Sequence, residues 1–329
     1  MRALRPSHHR DGLRLLQARG PGQAQDVAAP RPGHLRACLE LAAAMAIVGS
    51  SVVVGKLVVA RVPVFLVGGL RLAFACAVLV PLLLLVERGR PRLGRRDLAL
   101  LGLQAFTGIF LFTTLLLSGL RLTSAAAAGI VTSTTPAVAG TLAVLLLRER
   151  LTRARAGGIA LAVVGILAIN VSAPAATPPA GPNAPLGNLL VFGAVVGEAL
   201  FIICGRVAAA RVAPLVAATT ISVLGFLMFL PFAAREAVRF GLARISAWDW
   251  VALAYYGLVV TVLAFVLWAR GLAVVPAGTA AVFTAVLPLS AVLLSYAVLG
   301  EAFAWSHVLG AACVIGGIVL LAREPAGAA

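Results

Sequence analysis

Apolar residues fill whole windows of this chain, instead of alternating or recurring on one face, and short punctuation of Arg, Gly and Pro separates the windows. About 20 such residues at 1.5 Å rise cross a bilayer core about 30 Å thick, so each window is a candidate transmembrane helix. Ten windows qualify: Cys38 to Val59, Val64 to Val86, Leu98 to Leu117, Ser124 to Leu146, Ala156 to Val171, Leu186 to Cys204, Ala213 to Phe232, Trp250 to Ala269, Gly278 to Leu299 and His307 to Leu321. The pattern predicts an all-α integral membrane protein with ten transmembrane helices. A 61% hydrophobic content, 12% charged residues and a mean hydropathy of +1.05 remove it from the ordinary soluble class.

Charge orients the windows. The net charge of +16 would suggest a nucleic-acid partner if the basic residues formed one face, but they lie between apolar runs. With the N-terminus inside, inside segments hold twenty Arg, in the arm through Arg36, at Arg88 to Arg96, at Arg148 to Arg155, and at Arg206, Arg211, Arg270 and Arg323. Outside loops hold five: Arg61, Arg121, Arg235, Arg239 and Arg244. Short cytoplasmic loops retain positive charge, which puts both termini in the cytoplasm. The use of Arg in place of Lys, with much Ala and Gly, is that of a GC-rich bacterial genome, and the expected location is the bacterial inner membrane.

Residues 1–35 read as a basic disordered arm, without the apolar segment or cleavage site of a signal peptide. Residues 172–185 read as an uncharged, Pro-rich periplasmic linker between a first five-helix repeat, 36–171, and a second, 186–322, followed by a tail, 323–329. Cys38, Cys76, Cys204 and Cys313 each stand alone on a different apolar window and read as core residues.

The halves are related in sequence. A shift of 152 lays Pro136 on Pro288, Glu149 on Glu301, Gly158 on Gly310, Gly165 on Gly317 and Thr132 on Thr284, with 14 identities over the 51 positions from Gly119 to Ile169. A shift of about 150 sets Lys56 opposite Arg206. Five spans per half is an odd number, so the halves enter the membrane in opposite senses, as two inverted repeats. Such repeats offer two near-equivalent arrangements of one pathway, the requirement of alternating access.

The segments TPAVAGTLAVLLLRERLTRARAGGIALAVVGILAI, from Thr135 to Ile169, and LPLSAVLLSYAVLGEAFAWSHVLGAACVIGGIVLL, from Leu287 to Leu321, resemble the two EamA-type repeats of the drug/metabolite transporter superfamily. That resemblance covers about residues 37 to 322. It implies a ten-helix secondary transporter with a central cavity between its halves, exporting amino acids or other small metabolites. The first helix, IVGSSVVVGK from Ile47 to Lys56, lacks the Trp usual before the Gly, and Glu198 stands where relatives carry an apolar or aromatic residue.

Glu198 is the strongest candidate for chemistry. It lies about 18 Å into its window, near mid-membrane, where a carboxylate costs about 2.5 to 3.5 kcal/mol and is by default functional. A group protonated in one state and ionised in another would couple transport to protons; the structural alternative is a buried partner for Arg71. Arg71, about 10 Å inside its span, is expected to face the interior and hold a substrate anion, Glu198 or a helix carbonyl. Lys56, nearer its helix end, is expected to snorkel. Pro136 and Pro288 break the fourth and ninth spans and free the carbonyls of Thr132 and Thr284, either as satisfied kinks or as cavity lining with Thr135 beside them. Ser50, Gln104 and Tyr256 complete the substrate or coupling candidates.

Glu149 and Glu301 fall at opposite membrane faces under inversion and are read as structural, each stabilised by the positive N-terminus of the helix that follows. Gly158, Gly165, Gly310 and Gly317, seven apart in pairs, are read as helix-packing positions. No Walker loop, HExxH, GxSxG or metal-ligand cluster occurs, so the expectation is a transporter, not an enzyme, with no cofactor, no metal and no nucleic-acid partner. The partners expected are a small-molecule substrate, the lipid bilayer and coupling protons. A nucleotide-sugar-like or lipid-handling protein, or a membrane sensor, is the alternative.

Overall fold

The computed structural model describes residues 34–86, 93–147, 152–171, 182–209, 211–272, 274 and 283–322. Among them the chain is helical, with no strand. In chain order the helices are α1 (His34–Val59), α2 (Val64–Val86), α3 (Arg95–Gln104), a π-helical segment (Ala105–Leu111), α4 (Phe112–Leu120), α5 (Ala125–Thr132), α6 (Thr135–Leu147), α7 (Arg153–Val171), α8 (Ala184–Ala209), α9 (Pro214–Phe240), α10 (Ala247–Ala254), a second π-helical segment (Tyr255–Leu263), α11 (Ala264–Leu272), α12 (Val286–Leu299) and α13 (Trp305–Ala322).

Seven helical stretches among the described residues are long and apolar enough to cross a membrane: Leu35–Val59, Val64–Val86, Arg95–Leu120, Ala125–Leu146, Ala184–Gly205, Pro214–Phe240 and Ala247–Gly271. The other three windows hold shorter apolar helices, Ala156–Gly165, Val286–Leu299 and Trp305–Leu320. The arm 1–33, most of the linker, Glu149 and the start of the ninth window lie outside the described residues.

The sequence repeat has a structural counterpart. The third window contains a π-helical segment at Ala105–Leu111, and the eighth contains one at Tyr255–Leu263, which the 152-residue shift superposes over most of its length. A π segment adds a residue to a helical turn, and such insertions cluster at functional sites. Helix pairing obeys the same exchange: α1 packs on α12 as α8 packs on α5 and α6, and α8 packs on α4 as α1 packs on α11. Helices α2 and α9 pack on each other, as do α7 and α13, so these two pairs flank the internal axis.

In hydrocarbon there is no hydrophobic drive between helices, so close approach and polar bonds must hold the bundle. At the α7–α13 contact a Cβ on Gly165 would lie 3.0 Å from the Gly310 carbonyl oxygen, and one on Gly317 3.0 Å from that of Gly158. The four glycines thus form two crossed contacts at which backbone meets backbone. Gly49 is tighter still, since a Cβ there would sit 2.6 Å from the Leu287 carbonyl oxygen of α12.

The largest apolar core gathers at the end of the bundle marked by Lys56. It unites Val58 and Val59 with Leu66 and Val67, Leu117 and Leu120, Ala125, Ala127 and Ala128, Val191 and Leu253. Polar groups tie the same end. Arg121 donates to the carbonyl oxygens of Val59 and Val62 at 3.0 and 3.1 Å, and the Leu66 N–H donates to Glu236 at 2.8 Å, satisfying the first turn of α2. At the opposite end the clusters are smaller, one around Leu101 and Ala208 and one formed by Ala37 and Leu41 with Trp268 and Phe283.

Candidate functional site

Ser133 and Thr134 interrupt the fourth window between α5 and α6, and Pro136 explains the break, because its ring displaces the carbonyl of Thr132 and supplies no N–H. That carbonyl is answered by the Thr135 hydroxyl at 2.7 Å. The second Pro behaves similarly: Thr284 and Ala285 form the turn before α12, and the Thr284 carbonyl accepts the Leu287 N–H at 3.2 Å.

The same Thr135 Oγ1 lies 2.7 Å from Glu198 Oε2 on α8. One hydroxyl carries one hydrogen. If Glu198 is ionised, that hydrogen goes to the carboxylate and the Thr132 carbonyl loses it. If Glu198 is protonated, the carboxyl donates to Thr135, Thr135 donates to the carbonyl, and all three groups are satisfied. A proton on Glu198 is therefore linked to the helix break.

These groups border a central cavity of about 320 Å³, within the range of small-molecule sites. Its lining combines Met45, Val48, Ser51 and Val52 of α1, Phe112 and Leu116 of α4, Thr132, Ser133, Thr135 and Pro136 at the break, Glu198 and Ile202 of α8, Trp268 of α11, Thr284 and Leu287. Two-thirds of this lining falls into pairs under the repeat. The shift of 150 pairs Val48 with Glu198 and Val52 with Ile202; the shift of 152 pairs Leu116 with Trp268, Thr132 with Thr284 and Thr135 with Leu287. The cavity thus draws corresponding positions from both halves. Its chemistry does not follow the symmetry, because the carboxylate, its hydroxyl partner and the indole each face an aliphatic counterpart.

The remaining candidates lie elsewhere. Arg71 is 7% exposed and holds its guanidinium 4.8 Å from the Tyr256 ring centroid, a cation–π contact in place of a pair with Glu198. Its Nε is buried with no hydrogen-bond partner. Tyr256 is 1% exposed and belongs to the packed Lys56 end, outside the cavity lining. Ser50 donates to the Ile47 carbonyl or shares a hydrogen with the Tyr255 hydroxyl, both at 2.7 Å, while its neighbour Ser51 faces the cavity. Gln104 borders a second, largely apolar cavity of about 310 Å³ with Phe201, Ile221 and Phe265, and its Nε2 donates to the Phe201 carbonyl at 3.1 Å. Pro288 is buried in α12.

Glu301 differs from expectation in the helix it serves. Gly300, at φ 62°, ends α12 with a left-handed turn that sends the next residue across to the other half, so the carboxylate accepts the N–H groups of Ala125 and Ala126 at the start of α5, at 2.7 and 3.1 Å. Lys56 closes the group. It stands 3.3 Å from Glu301 and donates to the Thr123 carbonyl at 2.5 Å, instead of snorkelling to the headgroups. Glu149, the sequence counterpart of Glu301, lies outside the described residues. The aliphatic liners carry no sequence signal of their own; the 150- and 152-residue registers reach Val48 from Glu198 and Leu287 from Thr135.

A multi-pass helical bundle with an internally symmetric fold and a central cavity that holds one carboxylate among its described lining residues defines a membrane transport protein. The EamA-like transporter family matches twice, at residues 35–171 and 185–323, and the chain belongs to that family. A relative from Bacillus subtilis (strain 168), named uncharacterized transporter YetK, is 49% identical over 295 residues, covering 89% of each chain. A second from the same organism, uncharacterized transporter YyaM, is 25% identical over 249 residues, covering 76% of this chain and 81% of its own. A solved crystal structure shares the fold with a TM-score of 0.59 at 20% identity, over 87% of this chain and 96% of that one. The family is one of transporters, not enzymes.

Proposed function

We propose that this chain is a secondary active transporter that exports a small polar metabolite, of which an amino acid is the family's usual example, by alternating access between two inverted five-helix repeats. The repeats are 36–171 and 186–322, joined by the external linker 172–185, with ten transmembrane helices and both termini in the cytoplasm of a bacterial inner membrane.

The observation that carries the reading is the cavity lined in symmetry-related pairs. A site on the axis relating two inverted halves stays in place while the halves exchange shapes, so one set of residues meets each side of the membrane in turn. The packed core and the Lys56–Glu301 group lie together at one end. Arg61, Arg121 and Arg244 also belong to that end, the side poor in positive charge, which makes this arrangement the state shut to the outside. Glu198 serves as the coupling group. Substrate and proton compete for it, and the single hydrogen of Thr135 transmits the outcome to the α5–α6 break.

Counterflow in proteoliposomes across a panel of amino acids, nucleosides, sugars and organic cations, with and without a pH gradient, tests the proposal. Flux that a pH gradient drives in the protein and fails to drive in Glu198→Gln is the expected result. Absence of flux for every compound, alongside activity on lipids, would overturn it.

A further inference from the structure

Four hydroxyls around the cavity have already committed their hydrogens. Ser51 donates to the Val48 carbonyl at 2.6 Å, Thr132 and Ser133 donate to the Gly129 carbonyl at 2.9 and 2.8 Å, and Thr135 has its one hydrogen between the Thr132 carbonyl and Glu198. A hydroxyl whose hydrogen is used presents only lone pairs. Towards the cavity these groups are acceptors, and Glu198, when ionised, is an acceptor with negative charge.

No described cation offsets it. None of the lining residues is basic. Lys56 is held by Glu301 and Thr123, Arg71 lies over Tyr256, and Arg270 and Arg36 both bind Glu40, at 3.0 and 3.1 Å. A carboxylate brought into such a cavity would lose its water, find among the lining side chains the Trp268 indole N–H as its main donor, and face a like charge on ionised Glu198. A protonated amine would find the opposite: a carboxylate for its charge, lone pairs for its N–H groups, and Trp268 and Phe112 among the walls, whose ring faces attract cations. The rest of the lining, including Met45, Val48 and Leu287, suits an apolar body.

We infer that the cavity selects a primary organic amine with an apolar body and no carboxylate, anchored as its ammonium on Glu198. This rests on the transporter reading above and narrows it away from zwitterionic amino acids.

The test uses four probes on one carbon skeleton: phenethylamine, its trimethylammonium analogue, phenylalanine and 3-phenylpropionate. Calorimetry on the purified full chain measures binding. Counterflow of the labelled compounds into proteoliposomes at about pH 6, where little free amine exists to cross the lipid, measures transport against protein-free vesicles. Phenethylamine binds, the trimethylated form binds more weakly for want of N–H donors, and phenylalanine and phenylpropionate bind at least tenfold more weakly than the amine. In Glu198→Gln, amine affinity falls at least tenfold; the wild-type series decides the matter even if that variant does not fold. Phenylalanine or phenylpropionate binding as well as the amine would overturn the inference, as would binding of none of the four. Amine binding without counterflow would overturn the transporter reading and leave the site's chemistry standing, whereas counterflow of phenylalanine but not of amine would do the reverse.

Discussion

Removing the Glu301 carboxylate, as Glu301→Ala, should open the Lys56 end of the bundle. In the structure this carboxylate accepts two backbone N–H groups, at 2.7 and 3.1 Å, and faces Lys56 at 3.3 Å. A hydrogen bond to a charged group contributes about 1.5–3 kcal/mol when buried. Glu301 is 13% exposed and Lys56 26% exposed on their side chains, so the ion pair itself is discounted for screening. Two such bonds sum to about 3–6 kcal/mol, and water reaching the freed N–H groups at this partly exposed end returns part of it, leaving a loss of about 2–4 kcal/mol for the whole group. If these contacts exist in only one of the two arrangements, the equilibrium between them moves by about 30- to 700-fold, at about 1.4 kcal/mol per factor of ten.

The assay is labelling of a cysteine at Leu120, which is 1% exposed at the packed end, with an impermeant maleimide applied from outside the cell. Cys38, Cys76, Cys204 and Cys313, none of them in a disulfide, are first replaced. Labelling should accelerate sharply in Glu301→Ala, less in Glu301→Gln, which keeps one acceptor oxygen, and least in Lys56→Met, which leaves the bonds to Ala125 and Ala126 intact. Unchanged labelling in a folded Glu301→Ala protein, or a larger effect from Lys56→Met, would refute the reasoning.

Thr135→Val deprives both Glu198 and the Thr132 carbonyl of a partner, so melting should fall by the equivalent of about 1–3 kcal/mol and transport should lose much of its dependence on the pH gradient; Thr135→Ser, keeping the hydroxyl, should restore most of both. Pro136→Ala supplies an N–H to the broken turn, so thermal stability should rise while the transport rate falls, which a melt and a counterflow rate on one preparation would show together. Gly49→Ala forces a methyl to within 2.6 Å of the Leu287 carbonyl and should cost about 1–3 kcal/mol, lowering the melting temperature even with the cavity residues intact. Glu149 is the counterpart of Glu301, and if the repeats are inverted, Glu149→Ala should accelerate labelling from the cytoplasmic side and not from outside.

Two kinds of information were read along the chain with different success. Seven of the ten span positions were legible as helices long and apolar enough to cross a membrane, and the other three windows hold shorter apolar helices, because a bilayer imposes a length and a composition on each helix that no neighbour needs to supply. The repeat was legible because Pro, Glu and Gly have few substitutes where a backbone breaks, turns or touches another backbone. Pro136 with Thr132 follows from local stereochemistry, as does the reading of Gly165 and Gly310 as packing positions, and they sit in the structure at a helix break and a backbone contact.

Partnership was not legible. Arg71 and Glu198 could have met by depth and charge, yet the guanidinium rests on Tyr256 and the carboxylate on Thr135, since lateral packing of α2 and α8 sets them against different neighbours. Gln104 and Glu198 have similar depth, but face separate cavities. Glu301 was read for the helix next in sequence and caps one in the other half. Hydropathy reports how deep a residue lies and nothing about the direction in which it points, because lipid, like water, is the same on every side. The sequence by itself determined the helices and their internal repetition; which side chains meet at the axis, and which hydroxyls have a hydrogen left to offer, was decided only by tertiary packing.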